Sequence, residues 1–122
     1  MEKKLIYSAL LDFYGGMLTE KQQYFAELYY DQDLSLGEIS ELEGISRQGV
    51  HDNLKRCEEY MDELEQKLGL YKKYKESTSK RREITALCDK ARSLVKPYLY
   101  LKELDNIIAE ISEKITELEE NA

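Results

Sequence analysis

The chain has 122 residues and a formal net charge of −7 at pH 7, which suits one compact domain or a small domain with a helical extension. One Pro, six Gly and no Trp, with abundant Glu, Lys, Leu and Ile and no sustained period-two alternation, predict an all-α fold and argue against strands. The charged start lacks the apolar run of a signal peptide, and no segment reaches the roughly 18 apolar residues of a transmembrane helix. We therefore expect a cytoplasmic protein with no membrane insertion.

Two helices are predicted before residue 31. The first spans Lys3 to Tyr14 and ends at Gly15-Gly16. Thr19 and Gln22 form a capping box, in which each residue bonds the other's backbone N–H, so a second helix should run from about Glu20 to Tyr30. The side chains expected to face inward are Leu5, Ile6, Ala9, Leu10 and Phe13 in the first helix and Tyr24, Phe25, Leu28 and Tyr29 in the second.

Residues 35–57 have the spacing of a helix-turn-helix unit. Ser35 and Glu38 form a second capping box, so a helix should begin at Leu36, with Ile39 and Leu42 on its apolar face. Gly44 supplies the backbone freedom for a sharp turn, and Ile45 can fill the corner. Ser46 is an N-cap residue, which predicts that the next helix begins at Arg47.

In such a unit the second helix, called the recognition helix, lies in the DNA major groove with its first residues at base edges. The candidate DNA-binding residues are therefore Ser46, Arg47, Gln48, His51, Lys55 and Arg56. The same spacing also fits an αα-corner without a nucleic-acid role. Residues 35–57 carry three basic and four acidic side chains, which gives few phosphate contacts.

Three apolar seams follow. The recognition helix continues through Val50, Leu54, Cys57, Met61, Leu64 and Leu68 to Gly69, which should end or interrupt it. The second seam comprises Ile84, Cys88, Ala91 and Val95, before Pro97. The third comprises Leu101, Leu104, Ile108, Ile111, Ile115 and Leu118. These stripes predict either an intrachain bundle or a homodimer, and we favour a homodimer through Leu104, Ile108, Ile111, Ile115 and Leu118. The predicted organisation is a helix-turn-helix head over 1–70 and a helical tail over 71–122.

Charge is unevenly distributed along the chain. Residues 1–70 hold seven basic and fifteen acidic side chains, residues 71–96 nine and three, and residues 97–122 two and seven. The basic candidates in the middle segment are Lys72, Lys73, Lys75, Lys80, Arg81 and Arg82, interleaved with Tyr71 and Tyr74. Such a surface can grip phosphates and stack on bases. It can also be a solvated helix face balanced by the acidic side chains of the helix that carries the third seam.

The helix-turn-helix stretch resembles region 4 of bacterial sigma factors through Leu36, Glu38, Ile39, Gly44, Ile45, Ser46, Arg47 and Val50. Over roughly the first 75 residues the chain is more similar to the YlxM family of small bacterial proteins. That similarity lies in residues 10–14, 18–24, 46–48 and 52–56, together with Val50.

The resemblance implies an all-helical protein with a sigma-like DNA-binding unit and a link to the signal recognition particle pathway. It would make Arg47, Gln48, His51 and Lys55 the base- or phosphate-contacting positions. Two departures weaken this transfer of roles. Asn53 stands where sigma recognition helices usually carry an apolar residue, and Asp52 would repel phosphate.

No enzyme is predicted, because the sequence has no phosphate-binding glycine loop, metal-ligand spacing or nucleophile motif. We expect no cofactor and no metal. Cys57 and Cys88 should be buried reduced thiols, and the single His51 a solvated or DNA-contacting side chain. Three functions stay open: a DNA-binding regulator, an adaptor that binds particle RNA or a protein through the basic segment 71–96, and a scaffold dimer without a nucleic-acid role.

Overall fold

A computed structural model describes residues 2–120 of the chain, and in that range all regular structure is helical. The helices are α1 (Glu2–Tyr14), α2 (Glu20–Ala26), α3 (Leu36–Glu43), α4 (Arg47–Leu68), α5 (Leu70–Val95) and α6 (Lys102–Glu120). Short 3₁₀ turns lie at Gly15–Met17 and Leu99–Leu101, and a π-helical turn at Glu27–Asp31 follows α2. The chain divides into two compact units, an N-terminal unit (Met1–Lys72) and a C-terminal unit (Lys73–Ala122).

Local capping sets the helix boundaries in the N-terminal unit. Both predicted capping boxes are present, at Thr19 with Gln22 and at Ser35 with Glu38. They satisfy backbone N–H groups that have no partner inside the helix. Gly44 and Gly69 adopt left-handed backbone conformations, with φ of 68° and 61°, and end α3 and α4. The predicted starts of α3 and α4 and the end of α4 are thereby confirmed.

The core of the N-terminal unit joins α1, α2, the π-helical turn, α3 and α4. Its fully buried large side chains are Tyr14, Ile39, Val50, Cys57 and Met61. Four of these five residues come from α3 and α4. The helix-turn-helix pair is therefore an integral part of the core rather than an appendage.

Some assignments of inward-facing residues were wrong in three of the helices. In α1, Leu5 and Ile6 are exposed, and Tyr7, Leu10, Leu11 and Tyr14 contact the core instead. In α2 and the π-helical turn, Tyr24 is exposed and Tyr30 is buried more deeply than Tyr29. A π-helical turn contains more residues than an α-helical turn, so each later side chain points in a different direction. The inward-facing position therefore moves from Tyr29 to Tyr30. In α3, Leu42 is 60 % exposed because α4 covers only the side of α3 that carries Ile39.

Three tyrosine–carboxylate hydrogen bonds join α1 and the π-helical turn to α4. The hydroxyls of Tyr7, Tyr30 and Tyr14 donate to Asp62, Glu58 and Glu65, respectively. Burial and the neighbouring carboxylates raise the pKa of the Tyr7 and Tyr30 hydroxyls. These tyrosines therefore remain protonated donors at neutral pH.

The start of α5 is capped by residues from α1 and α4. The hydroxyl of Tyr14 accepts a hydrogen bond from the Leu70 N–H at 3.2 Å and donates to Glu65 Oε1 at 2.6 Å. The Glu65 carboxylate also accepts from the N–H groups of Tyr71 and Lys72, each at 3.1 Å. Three N–H groups of the first turn of α5 are thus bonded to acceptors outside the helix. One acceptor, Tyr14, is distant in sequence, and the other, Glu65, lies in α4 before Gly69.

In the C-terminal unit the chain reverses direction between α5 and α6. Helix α5 ends at Val95, just before Pro97, and α6 begins at Lys102 after a 3₁₀ turn. Arg92 Nε donates to Asp105 Oδ1 at 2.9 Å, and Asp105 is only 3 % exposed. The Arg92 guanidinium holds the pKa of the Asp105 carboxyl below its usual range. This ion pair, whose carboxylate is buried, places the start of α6 against the end of α5.

The two cysteines are buried free thiols, as predicted. Burial raises the pKa of Cys57 to about 11, so its thiol stays protonated and unreactive at neutral pH. Across residues 2–120, none of the helices is both long enough and apolar enough to cross a membrane.

Candidate nucleic-acid interface

The turn between α3 and α4 is built by Gly44, Ile45 and two serines. Gly44 takes the left-handed conformation, and Ser40 Oγ donates to the Ile45 carbonyl across the turn. Ser46 Oγ accepts from the Gly49 N–H at 3.0 Å, so its hydroxyl is committed to starting α4. Ser40 was not recognised from the sequence, because a serine inside a helix gives no signal of which carbonyl it will meet. Ile45 is 37 % exposed and fills the corner only in part.

The outer face of α4 carries the predicted contact residues. Gln48, His51, Lys55 and Arg56 are all exposed, and so is Asp52, which was expected to repel phosphate. They lie opposite Val50, Leu54 and Cys57, which the core holds in place, so backbone geometry fixes where each side chain emerges.

Asp52 organises two of its neighbours on that face. Gln48 Nε2 donates to Asp52 Oδ1 at 2.8 Å, and His51 Nδ1 lies 3.5 Å from the same oxygen. The Gln48 hydrogen bond and the nearby His51 lower the pKa of Asp52, so this carboxylate is charged at neutral pH. A phosphate approaching this surface would meet that negative charge, and Gln48 would have to leave Asp52 to read a base edge.

The Arg47 side chain lies back over the first turn of α3. A Cβ atom on Gly37 would be 3.0 Å from Arg47 Nη2 and 3.2 Å from its Cζ. Gly37 therefore makes room for the guanidinium group, which stays exposed at the surface shared by α3 and α4. In a helix-turn-helix unit this surface faces the DNA backbone and the groove edge.

A cleft of about 530 Å³ opens beside the recognition helix and is partly lined by His51 and Lys55. The fold brings Lys3 and Lys4 of α1 to the same cleft, although they lie more than 40 residues away in sequence. Lys3 pairs with Glu58 at 3.4 Å, and Lys4 pairs with Asp33. Both lysines were missed from sequence, because only tertiary packing relates α1 to this side of α4.

The side chains of the predicted basic surface all belong to α5. Lys72, Lys73, Lys75, Lys80 and Arg82 are exposed, whereas Arg81 is half-buried. Lys80 lies 3.5 Å from Glu83 on the same helix. In the part of the chain that the structure describes, no group of three or more His, Cys, Asp or Glu side chains is arranged to hold a metal ion.

Comparisons with known proteins agree with this architecture. Residues 1–99 match the model of the UPF0122 family, described as "Putative helix-turn-helix protein, YlxM / p13 like". A UPF0122 protein of Thermoanaerobacter sp. (strain X514) is 45 % identical over 109 residues, covering 89 % of this chain and 93 % of the relative. A relative from Halalkalibacterium halodurans is 38 % identical over 107 residues, covering 88 % of this chain and 98 % of the relative. One from Caldanaerobacter subterraneus is 53 % identical over 81 residues, which is 66 % of this chain and 69 % of the relative.

The matched region contains the whole N-terminal unit and all of α5, so the capped turn and the recognition helix lie within it. With a family match over 99 residues and relatives that align across most of both chains, this protein belongs to the YlxM-like UPF0122 family of helix-turn-helix proteins.

Proposed function

We propose that this protein is a small DNA-binding regulator that reads duplex DNA with α4. The observation that carries the proposal is the exposed row Gln48, His51 and Lys55 on a helix whose opposite side is locked into the core. Arg47, at the junction with α3, and Arg56 would contribute phosphate or base-edge contacts.

The charge of the N-terminal unit limits how this binding can work. Beyond Arg56, α4 presents Glu59, Asp62 and Glu63 at its surface, which would repel a phosphate backbone. Contacts would therefore be confined to the first turns of α4, and the nonspecific affinity of a single copy would be low. A homodimer through the apolar stripe of α6 would compensate by placing two such helices on two half-sites.

The direct test is a gel-shift assay with the full chain and duplexes selected from a random-sequence pool, repeated across a salt series. Arg47→Ala should weaken binding to the selected duplex by about 1–3 kcal/mol, roughly 5- to 150-fold, and relax its sequence preference. The reason is that the guanidinium lies at the surface where α3 and α4 would meet DNA.

Arg82→Ala on α5 is the matched control, since it removes an exposed arginine outside the helix-turn-helix unit. It should leave sequence preference unchanged. Failure of the wild-type chain to retain any duplex at low salt would refute DNA binding.

A second candidate function is an adaptor that binds RNA or an acidic protein in secretory targeting, the pathway that the resemblance implies. Its support is the exposure of Lys72, Lys73, Lys80 and Arg82 in a segment with nine basic and three acidic residues. Clustered cations of this kind suit a single-stranded or structured RNA backbone.

Charge reversal separates the two functions. Lys80→Glu with Arg82→Glu should abolish binding of a structured RNA if the adaptor function holds, while changing only the salt slope of duplex-DNA binding. Arg81 is left intact because it is half-buried and its reversal would disturb the fold. Filter binding of both nucleic acids to the wild-type chain and the variant gives the measurement. A wild-type chain that retains neither nucleic acid would leave a scaffold dimer as the remaining function.

A further inference from the structure

The Arg92–Asp105 ion pair and the pattern of burial indicate that α5 and α6 pack as an antiparallel hairpin. Starting at the Arg92–Asp105 pair, a row of buried and half-buried positions, which we call the seam, runs back along α5 and forward along α6 with alternating spacings of three and four residues. On α5 they are Thr78, Arg81, Thr85, Cys88 and Arg92, and on α6 Asp105, Ile108, Ser112, Ile115 and Glu119. The seam is short of large apolar side chains, so most of the apolar surface of this unit lies elsewhere.

That apolar surface occupies the positions that come one residue before the seam positions. These side chains are Ile84 and Leu87 on α5 and Leu104, Ile107, Ile111 and Leu118 on α6, and they are between 39 % and 65 % exposed. Lys80 and Lys114 occupy two further positions of the same kind. In an antiparallel pair of right-handed helices, the residues preceding the seam on both helices point to the same flank. The two helices therefore contribute to one mainly apolar flank.

The opposite flank has a different composition. The residues that follow the seam positions are Ser79, Arg82, Ala86, Asp89 and Ser93 on α5 and Asn106, Ala109, Glu113 and Thr116 on α6. None of these nine is a large apolar residue. Exposed apolar residues that are confined to one side of a hairpin indicate a binding face, because large exposed apolar patches are rare on surfaces that contact only water.

We propose that this flank is where a second copy of the chain docks, so that two α5–α6 hairpins form a four-helix bundle. The inference deepens the homodimer included in the proposed function and rests on it, but it assigns the interface to both helices rather than to α6 alone. Six side chains, each about half exposed, offer on the order of 600 Å² per copy, about three quarters of the roughly 800 Å² per partner of a stable interface. A self-complementary face of this kind is typical of two-fold dimers.

Charge selects the arrangement of the two hairpins. Residues 71–96 are basic, with nine cationic and three anionic side chains, whereas residues 97–122 are acidic, with two and seven. Packing α5 of one copy against α6 of the other brings opposite charges together, and packing α5 on α5 would bring like charges together. The two-fold axis then runs along the bundle, both α5 helices point the same way, and both chains enter the bundle at the same end.

Two neighbouring residues on opposite flanks of α5 give a matched test. Sedimentation equilibrium of the full chain should show a dimer at micromolar concentration, and Leu87→Glu should raise its dissociation constant at least about tenfold. Ala86→Glu introduces the same charge on the polar flank and should leave the constant unchanged. Helical content and thermal melting of both variants confirm that each remains folded.

Cysteine cross-linking tests the arrangement. The Arg92–Asp105 pairing sets Leu87 level with residue 110, so Leu87 of one copy should face Ile111 of its partner. An oxidised mixture of Leu87→Cys and Ile111→Cys chains should form covalent dimers faster than either variant alone. The wild-type chain, with its buried Cys57 and Cys88, sets the background.

Three results would overturn the inference: a monomeric wild type at about 100 μM, a Leu87→Glu variant that dimerises like wild type, or cross-linking of Leu87→Cys alone at the rate of the mixture. Dissociation by Ile111→Glu but not by Leu87→Glu would reject the two-helix interface while leaving a homodimer through α6 intact. All of these measurements are made without nucleic acid, so they stand apart from the gel-shift test of DNA binding.

Discussion

Replacing Ile39 with alanine is expected to destabilise the protein by about 2–5 kcal/mol, because Ile39 is fully buried where α3 meets the core. Removing three methyl or methylene groups loses their transfer free energy and leaves a cavity that the surrounding helices fill only in part. Since Ile39 anchors α3, we also expect the capped turn at Gly44 to lose its fixed geometry. Urea denaturation followed by circular dichroism measures the change.

Leu42 in the same helix provides the control. It is 60 % exposed, so Leu42→Ala should change the free energy of unfolding by no more than about 0.5 kcal/mol. Equal destabilisation by the two substitutions would mean that both faces of α3 are covered in solution. That result would contradict the packing of the helix-turn-helix unit described above.

Replacing Glu65 with alanine should have the next largest effect, about 2–3 kcal/mol of lost stability, because the carboxylate accepts three hydrogen bonds. The substitution leaves the N–H groups of Tyr71 and Lys72 without their acceptor. The start of α5 should therefore fray, and amide exchange at residues 70–72 should accelerate in the variant.

The effect of Glu65 should depend on pH with a definite sign. Burial alone would raise the pKa of Glu65, but the hydrogen bonds from Tyr14, Tyr71 and Lys72 outweigh it and leave the pKa below its usual value. A lowered pKa in the folded state stabilises the protein fully above the unfolded pKa, about 4.3, and the contribution disappears as pH falls through the folded value. The stability difference between wild type and Glu65→Ala should thus be complete at pH 6–7 and shrink at more acidic pH.

Glu63→Ala, an exposed carboxylate on the same helix, should show no comparable loss. A Glu65→Ala variant with wild-type stability and a flat pH profile would show that the cap on α5 contributes nothing in solution.

On α4, basic side chains that would attract DNA phosphates lie beside Asp52, which would repel them. This arrangement affects both the affinity and the specificity expected of DNA binding. Asp52 holds Gln48 by a hydrogen bond and lies beside His51, so the free protein keeps Gln48 paired internally. A correct base sequence would have to replace that internal bond, whereas a nonspecific phosphate contact would meet the Asp52 charge first. Such an arrangement favours specificity over affinity, because it penalises contacts that do not offer a matching donor or acceptor.

Local sequence determined the helices and the turn of this protein. The capping boxes at Thr19 and Ser35, the N-cap Ser46 and the glycines at 44 and 69 each act through atoms a few residues apart, so their spacing is sufficient to place helix ends. The burial of Val50, Leu54, Cys57 and Met61 was also predictable, since a seam of alternating three- and four-residue spacing has one apolar side.

Tertiary structure decided which side of each short helix is covered. Leu5, Ile6 and Leu42 are as apolar as the residues that are buried, and only the positions of neighbouring helices leave them exposed. The π-helical turn that brings Tyr30 inward and the cap that Tyr14 and Glu65 provide for α5 likewise join residues that sequence spacing does not relate.

In the candidate site, too, some residues were predictable from the sequence and others only from the tertiary structure. Gln48, His51, Lys55 and Arg56 were assigned correctly to the exposed face of α4, because helical periodicity alone places them opposite the buried seam. The packing of α1, α3 and α4 determines two further features of the site. It places the Arg47 side chain against Gly37, and it places Lys3 and Lys4 at the cleft. Such long-range contacts arise from the sum of many weak packing energies, which no short stretch of sequence encodes by itself.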